Sequence, residues 1–314
     1  MENQSQVTEF ILLGLTQNQG VQKIIFIMFL LFYLVTLGGN LFIVLTITSS
    51  PSLFASPMYF FLAFLSFLDA CFSSAIVPKV IVDSFYKKKT ISFEGCMTQV
   101  FASHFLGCAE VIVLTAMAYD RYVAICKPLH YVTIMSRRTC LFLAGMAWVG
   151  GFLHSIIQML FILPLPFCGP NVINHFMCDL YPLLKLVCTD TYGIGFMVLA
   201  NSGFVCILIF SLLLVSYGVI LYTLRTYSTE GRRKALSTCS SHITVVFLVF
   251  VPCIFEYVRP PTTFSFDKMV EILYTVLTPF LNPFIYTFRN MEVKNAMRQF
   301  CHSKVFVFKQ KLGG

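Results

Sequence analysis

The chain is poor in charge: aspartate, glutamate, lysine and arginine together make up 11% of its 314 residues, against roughly 25% in soluble globular domains. With 57% apolar residues and a mean hydropathy of +0.80, that scarcity excludes an ordinary soluble fold and makes a bilayer the natural solvent. Other absences narrow the class. There are no paired catalytic aspartates and no HExxH string, so an intramembrane enzyme is poorly supported. Inverted repeats with broken midplane helices, expected of a transporter or channel, are missing. So is the ten-residue alternation of a membrane barrel. The first twenty residues lack a basic start and a small-residue cleavage pattern, so the first apolar span is expected to act as its own insertion signal.

What is present instead is apolar length. A helical crossing needs about 20 mostly apolar residues, and seven stretches meet that need: roughly 24–48, 57–78, 97–126, 140–163, 194–224, 236–258 and 270–288. The expected fold is an all-α membrane protein, a seven-transmembrane helix bundle with a short amphipathic helix after the last span. Residues 1–23 precede the bundle and 289–314 form a tail. An odd number of spans separates the termini, and basic residues decide the sides. With the N-terminus outside, 14 of the 22 lysines and arginines fall on the inner side. Lys87-Lys88-Lys89 is the exception, and the short loop near 49–56 carries no charge. The +8 net charge is what loops facing anionic membrane lipid carry, so nucleic acid is not expected as a partner. Asn3-Gln4-Ser5 fits the N-glycosylation triplet on the lumenal side.

Of the twelve cysteines, Cys96 opens the third span and Cys168, Cys178 and Cys188 lie between spans four and five. These four face an oxidising compartment, and their residue positions leave all three pairings open. Cys71, Cys108, Cys126, Cys140, Cys206, Cys239, Cys253 and Cys301 read as small buried residues or reduced thiols, with Cys301 a weak acylation candidate. His175-Phe176-Met177-Cys178-Asp179 offers soft-metal ligands, so His175 and Cys178 form a copper option, in competition with any disulfide at Cys178.

The most informative string is Met117-Ala118-Tyr119-Asp120-Arg121-Tyr122-Val123-Ala124-Ile125-Cys126, where an acid and an arginine sit at the edge of an apolar span at considerable cost. A lone pair of this kind would read as snorkelling at a helix end. The full decapeptide resembles the hallmark of the odorant-receptor branch of the rhodopsin-like G-protein-coupled receptors. Gly39-Asn40, Pro57-Met58-Tyr59-Phe60-Phe61-Leu62 and Leu65-Ser66-Phe67-Leu68-Asp69 are similar to that family's early motifs. Ser216-Tyr217, Lys234-Ala235-Leu236-Ser237-Thr238-Cys239-Ser240-Ser241-His242 and Pro279-Phe280-Leu281-Asn282-Pro283-Phe284-Ile285-Tyr286 match its later ones. Within the family the chain looks like the terrestrial-type class, close to the fourth family.

The resemblance implies a receptor without catalytic activity that binds a small-molecule odorant. It further implies coupling to a heterotrimeric stimulatory olfactory G protein, rising cyclic AMP, and residence in the plasma membrane of olfactory cilia. It implies disulfides Cys96–Cys178 and Cys168–Cys188. It implies a sodium site at Asp69 and Glu110, near Asn40 and Asn282; a protonated carboxyl bonded to asparagine is the other reading of these buried acids. For the activation switch it implies Asp120 holding Arg121 at rest, with Tyr217, His242, Asn282, Pro283 and Tyr286 in the moving parts. Pro283 removes a backbone donor and so supplies a hinge, while tyrosines at membrane edges otherwise serve as anchors. Going outward from Arg121, residues three and four apart share a face of span three, which brings Ser103, His104, Gly107 and Cys108 near the pocket; on the other spans the resemblance implies Asn201, Ser202, Phe250, Cys253, Ile254, Tyr257, Ile272 and Thr275. That lining suits a mostly apolar molecule oriented by one or two hydrogen bonds. His104 taken alone is more often an internally satisfied residue.

Two departures stand out. Phe250-Val251-Pro252-Cys253 replaces the tyrosine-glycine of many odorant receptors. Glu256 is an unusual acid near the cavity mouth, which Arg259 could neutralise. Ser103 stands where amine receptors carry aspartate, which disfavours a biogenic amine. The alternative function is a rhodopsin-like receptor acting outside smell.

Overall fold

A computed structural model describes residues 7–168, 171–258, 265–289 and 291–312. Seven of its helices are long and apolar enough to cross a membrane: α1 Gln19–Ser49, α2 Pro57–Asp83, α3 Phe93–Cys126, α4 Arg137–Ile162, α5 Tyr192–Thr226, α6 spanning Thr229–Val258, and α7 with its apolar stretch at Asp267–Thr287. A further helix, α8, follows at Met291–Leu312. Asn3, the glycosylation candidate, and Arg259 lie outside the described residues.

Local chemistry starts these helices. Asn18 Oδ1 accepts from the Gly20 and Val21 amides at 2.9 and 3.3 Å, Ser92 caps Gly95 at 3.0 Å and Ser136 caps Thr139 at 3.3 Å, each satisfying amides that have no intrahelical partner. Pro57 stands in the first turn of α2, where its missing N–H costs nothing. Several helices run past the spans expected from hydropathy. The membrane sets how much of a helix is apolar, while helix geometry continues into water: α6 begins near Thr229 and takes in Arg232 and Arg233, and α2 passes through Pro78 to Asp83.

α2 and α3 sit at the centre, with most of their apolar windows buried, whereas α1, α4 and α5 turn most of theirs outward, as lipid-facing helices do. Prolines inside α6 and α7 each strip a carbonyl four residues earlier of its donor. Both carbonyls are served from a neighbouring helix. Asn40 of α1 donates to Pro279 O at 3.0 Å, the carbonyl left by Pro283, and Thr278 of α7 donates to Leu248 O at 3.3 Å, the carbonyl left by Pro252. Gly39 completes the first contact, since a Cβ there would stand 3.2 Å from the Pro283 ring.

The end of the bundle nearest the N-terminus carries a small sheet that hydropathy does not reveal. β1 Glu9–Leu12 lies between β2 Lys89–Ser92, its antiparallel partner, and β3 Val172–Ile173, its parallel one. Phe10, Phe93 and Phe167 pack edge to face or tilted beneath it. Two disulfides tie the long loop down, Cys96–Cys178 and Cys168–Cys188, with Cα separations of 5.4 and 5.8 Å. The anomalous lysine run has structural partners here. Lys88 pairs with Glu9 at 3.2 Å. Lys89 is buried under the turn at Gly14, whose φ of +71° suits glycine. Burial pushes the Lys89 ammonium below its ordinary pKa, and the nearby Asp83 carboxylate opposes that shift.

Candidate ligand cavity and signalling face

A cavity of about 210 Å³ opens among α3, α5, α6 and α7 below the disulfide-tied loop. From α3 it takes Ser103, His104, Gly107 and Cys108, which recur at helical spacing on one face. Asn201 and Ser202 line it from a π-helical stretch of α5, Leu199–Phe204. Both are anchored to α4: Asn201 Nδ2 meets His154 Nδ1 at 3.3 Å, and Gln158 donates to Ser202 Oγ at 3.0 Å. Cys253 and Tyr257 contribute from α6.

Four residues expected in the lining do not reach it. Phe250 is fully buried one turn deeper, stacked on Phe210 with ring centroids 5.5 Å apart. Ile254 and Ile272 pack into the surrounding core. Thr275 is also enclosed, its hydroxyl donating to the Glu271 carbonyl at 2.7 Å. The cause in α7 is a π-helical turn at Leu273–Leu277, whose wider turn rotates the facing residues. Glu271 and Tyr274 occupy the wall instead.

The cavity is therefore more acidic than its expected lining. Glu256 lines it together with Glu271 and with Asp179, the latter from the loop just after Cys178. Burial raises the Asp179 carboxyl above its ordinary range, against hydrogen bonds from the Leu180 and Tyr181 amides and the Glu256 side chain. The neighbouring Tyr181 hydroxyl is pushed up to about 12, chiefly by burial, then by the Asp179 and Glu256 charges.

In the middle of the bundle Asn282 Nδ2 donates to Asp69 Oδ2 at 2.8 Å. Four buried oxygens there have no hydrogen-bond partner among the described residues: Asp69 Oδ1, Glu110 Oε1, Asn282 Oδ1 and Asn40 Oδ1. Oxygen atoms alone, two of them from carboxyls, are the donor set that suits a hard cation. Asn40 turns its amide nitrogen to α7.

At the opposite end a second cavity of about 690 Å³ is lined by Asp120, Arg121, Arg233, His242 and Tyr286, among others. Arg121 is bonded to Asp120 through Nε at 3.0 Å and through a second contact from its terminal nitrogen. Tyr131 donates to the other Asp120 oxygen at 2.7 Å. Tyr217 is bonded to His242 Nδ1 and joins α5 to α6. The buried Tyr286 hydroxyl has no hydrogen-bond partner among the described residues.

The copper option has no thiolate in this structure, because the Cys178 sulfur is bonded to Cys96. The His175 ring stacks on Phe176 with centroids 4.6 Å apart.

A cavity beneath a disulfide-tied loop, an arginine held at the far end and seven apolar helices between them describe a signalling receptor. The profile of one family, described as olfactory receptor, matches residues 29–304. The chain belongs to the olfactory receptor family. The receptor is 58% identical over 307 residues to human olfactory receptor 4S2, covering 98% of each chain. It is 59% identical over 308 residues to human olfactory receptor 4A5, covering 98% of this chain and 97% of the relative. With mouse olfactory receptor 4B13 it shares 58% identity over 298 residues, covering 95% and 97%. These relatives are of the fourth family, in agreement with the motifs. The receptor is thus a multi-pass membrane protein of a family that takes odorant ligands and couples to G proteins, and it is not an enzyme.

Asp179, His154, Glu271 and Tyr274 belong to the cavity and were not legible in the pattern of apolar residues. The one available signal was Glu271 itself, an acid where an apolar span begins. Such an acid invites a functional reading.

Proposed function

We propose that the receptor binds a small, mostly apolar odorant in the cavity formed by Ser103, His104, Cys108, Asn201, Cys253 and Tyr257 and activates a stimulatory olfactory G protein, raising cyclic AMP. The observation that carries this reading is the pairing of a cavity beneath the disulfide-tied loop with an arginine face at the other end of the same helices. α3 lines both, with Gly107 at one and Arg121 at the other. Ligand binding biases the bundle only by its differential affinity for the resting and open arrangements.

In the resting arrangement Asp120, itself bonded by Tyr131, holds Arg121. Opening frees it toward the G protein, with the Tyr217–His242 link, Tyr286 and the Asn282–Pro283 hinge as the parts that rearrange. A sodium ion held by Asp69 and Glu110 would stabilise the closed middle of the bundle; the unpartnered oxygens there support it. The N-terminus faces outward in the plasma membrane of olfactory cilia, where Asn3 is glycosylated.

Cyclic AMP is measured in cells carrying the receptor and the olfactory G protein, challenged with a broad odorant panel. A concentration-dependent rise with at least one odorant is expected. Silence across the panel at confirmed surface expression would overturn the coupling.

A further inference from the structure

We infer that the ligand's polar end is a protonated amine, held by the Asp179, Glu256 and Glu271 side chains at the cavity wall. The inference rests on the proposed ligand cavity and adds the chemical class of its occupant.

Three carboxyls from three separate segments, Asp179, Glu256 and Glu271, line this one wall. Asp179 and Glu271 are 9% and 7% exposed. Carboxyls brought this close in a water-poor site need a proton or a cation between them. Among the described residues no lysine or arginine forms an ion pair with any of the three. Lys268, one turn before Glu271, is used elsewhere: it donates to Gly14 O at 2.8 Å and to Asn174 Oδ1 at 3.0 Å.

A second observation points the same way. His104, also on the cavity wall and only 6% exposed, has an Nε2 atom without a hydrogen-bond partner. It stands 3.9 Å from Asp179 Oδ1, too far for a hydrogen bond. A polar ligand group between them would serve both. The remaining wall includes Tyr257 and Tyr274, whose ring faces attract a cation. Among the described residues no group of three or more histidine, cysteine, aspartate or glutamate side chains is arranged to hold a metal ion. The serine at position 103 argues against an amine held from α3. The charge here comes instead from the loop, α6 and α7.

The test is thermal stabilisation of the purified full-length receptor in detergent at neutral pH. The probes are matched pairs: cyclohexylamine with cyclohexanol, benzylamine with benzyl alcohol, and isoamylamine with isoamyl alcohol. For at least one pair the amine should act at a concentration about tenfold or more below its alcohol, about 1.4 kcal/mol. The Glu256→Gln/Glu271→Gln receptor should bring that pair to parity. Equal potency in every wild-type pair, absence of any amine effect, or a preference that survives the double substitution would each overturn the assignment. The wild-type comparison decides the matter even if the double variant does not fold, and the single Glu256→Gln and Glu271→Gln receptors then report each carboxyl. This readout needs no G protein. Neutral odorants that raise cyclic AMP while no amine binds would sink the amine and spare the receptor reading. Selective amine binding without cyclic AMP would do the reverse.

Discussion

Gly107 provides the sharpest probe of where the ligand sits. A Cβ built on it would stand 2.5 Å from the Tyr274 hydroxyl oxygen, whereas ordinary contact begins at 3.4 Å. Gly107→Ala therefore forces that hydroxyl back by about 0.9 Å. The Tyr274 ring is backed by Phe72 at a centroid distance of 5.2 Å, so the movement is taken up at the cavity wall. A methyl-sized change in an apolar pocket alters binding by about 1–3 kcal/mol, roughly 10- to 200-fold. Gly151→Ala is the control. Its Cβ would lie 2.5 Å from the Phe105 carbonyl oxygen, a backbone atom that cannot swing aside, so the cost falls on packing of α3 against α4, about 1–3 kcal/mol. In cyclic AMP dose–response curves at matched surface expression, Gly107→Ala should shift agonist potencies and reorder them by ligand size. Gly151→Ala should lower thermal stability and keep the order. An unchanged potency order in Gly107→Ala would refute the placement of the cavity.

Asn40→Ala leaves the Pro279 carbonyl without its donor, so stability should fall by about 1–3 kcal/mol, read as a lower melting temperature in detergent; an unchanged one would mean that the proline gap needs no bridge. Opening Cys168–Cys188 by a double serine substitution should cost about 2–5 kcal/mol and weaken surface expression, and unaltered expression and melting would contradict a structural role. Burial, with the Lys268 charge nearby, lowers the His175 pKa from its ordinary 6.5 to about 3. The folded chain thus favours neutral His175, whose contribution is whole above pH 6.5 and is lost as pH falls toward 3. Melting temperature should drop more steeply between neutral and acid pH in the wild type than in His175→Gln; parallel curves would exclude the effect.

Much of the molecule could be read from the chain because a bilayer simplifies the problem. Seven apolar stretches become seven helices, since no other open structure satisfies its backbone in lipid. Arg121 and Asp120 announced themselves as charges in a span. The small sheet escaped notice because four-residue strands at Glu9–Leu12 and Lys89–Ser92 have no local signal strong enough to show a partner eighty residues away. On α7 the resemblance implies Ile272 and Thr275 in the pocket, whereas Glu271 and Tyr274 line it, because the π turn at Leu273–Leu277 changes which residues face the cavity. Glu256 was visible as an oddity. Its meeting with Asp179 and Glu271 depends on three segments far apart in the chain.

The proposed control of the arginine face by the cavity, through the same helices, has a direct test. Purified receptor in lipid nanodiscs is mixed with the olfactory G protein, and nucleotide exchange is followed with and without an agonist from the panel, for the wild type and for Arg121→Ala. Agonist-accelerated exchange that Arg121→Ala abolishes is expected, while the agonist still raises that variant's melting temperature. Exchange that the agonist accelerates equally in both receptors would contradict it.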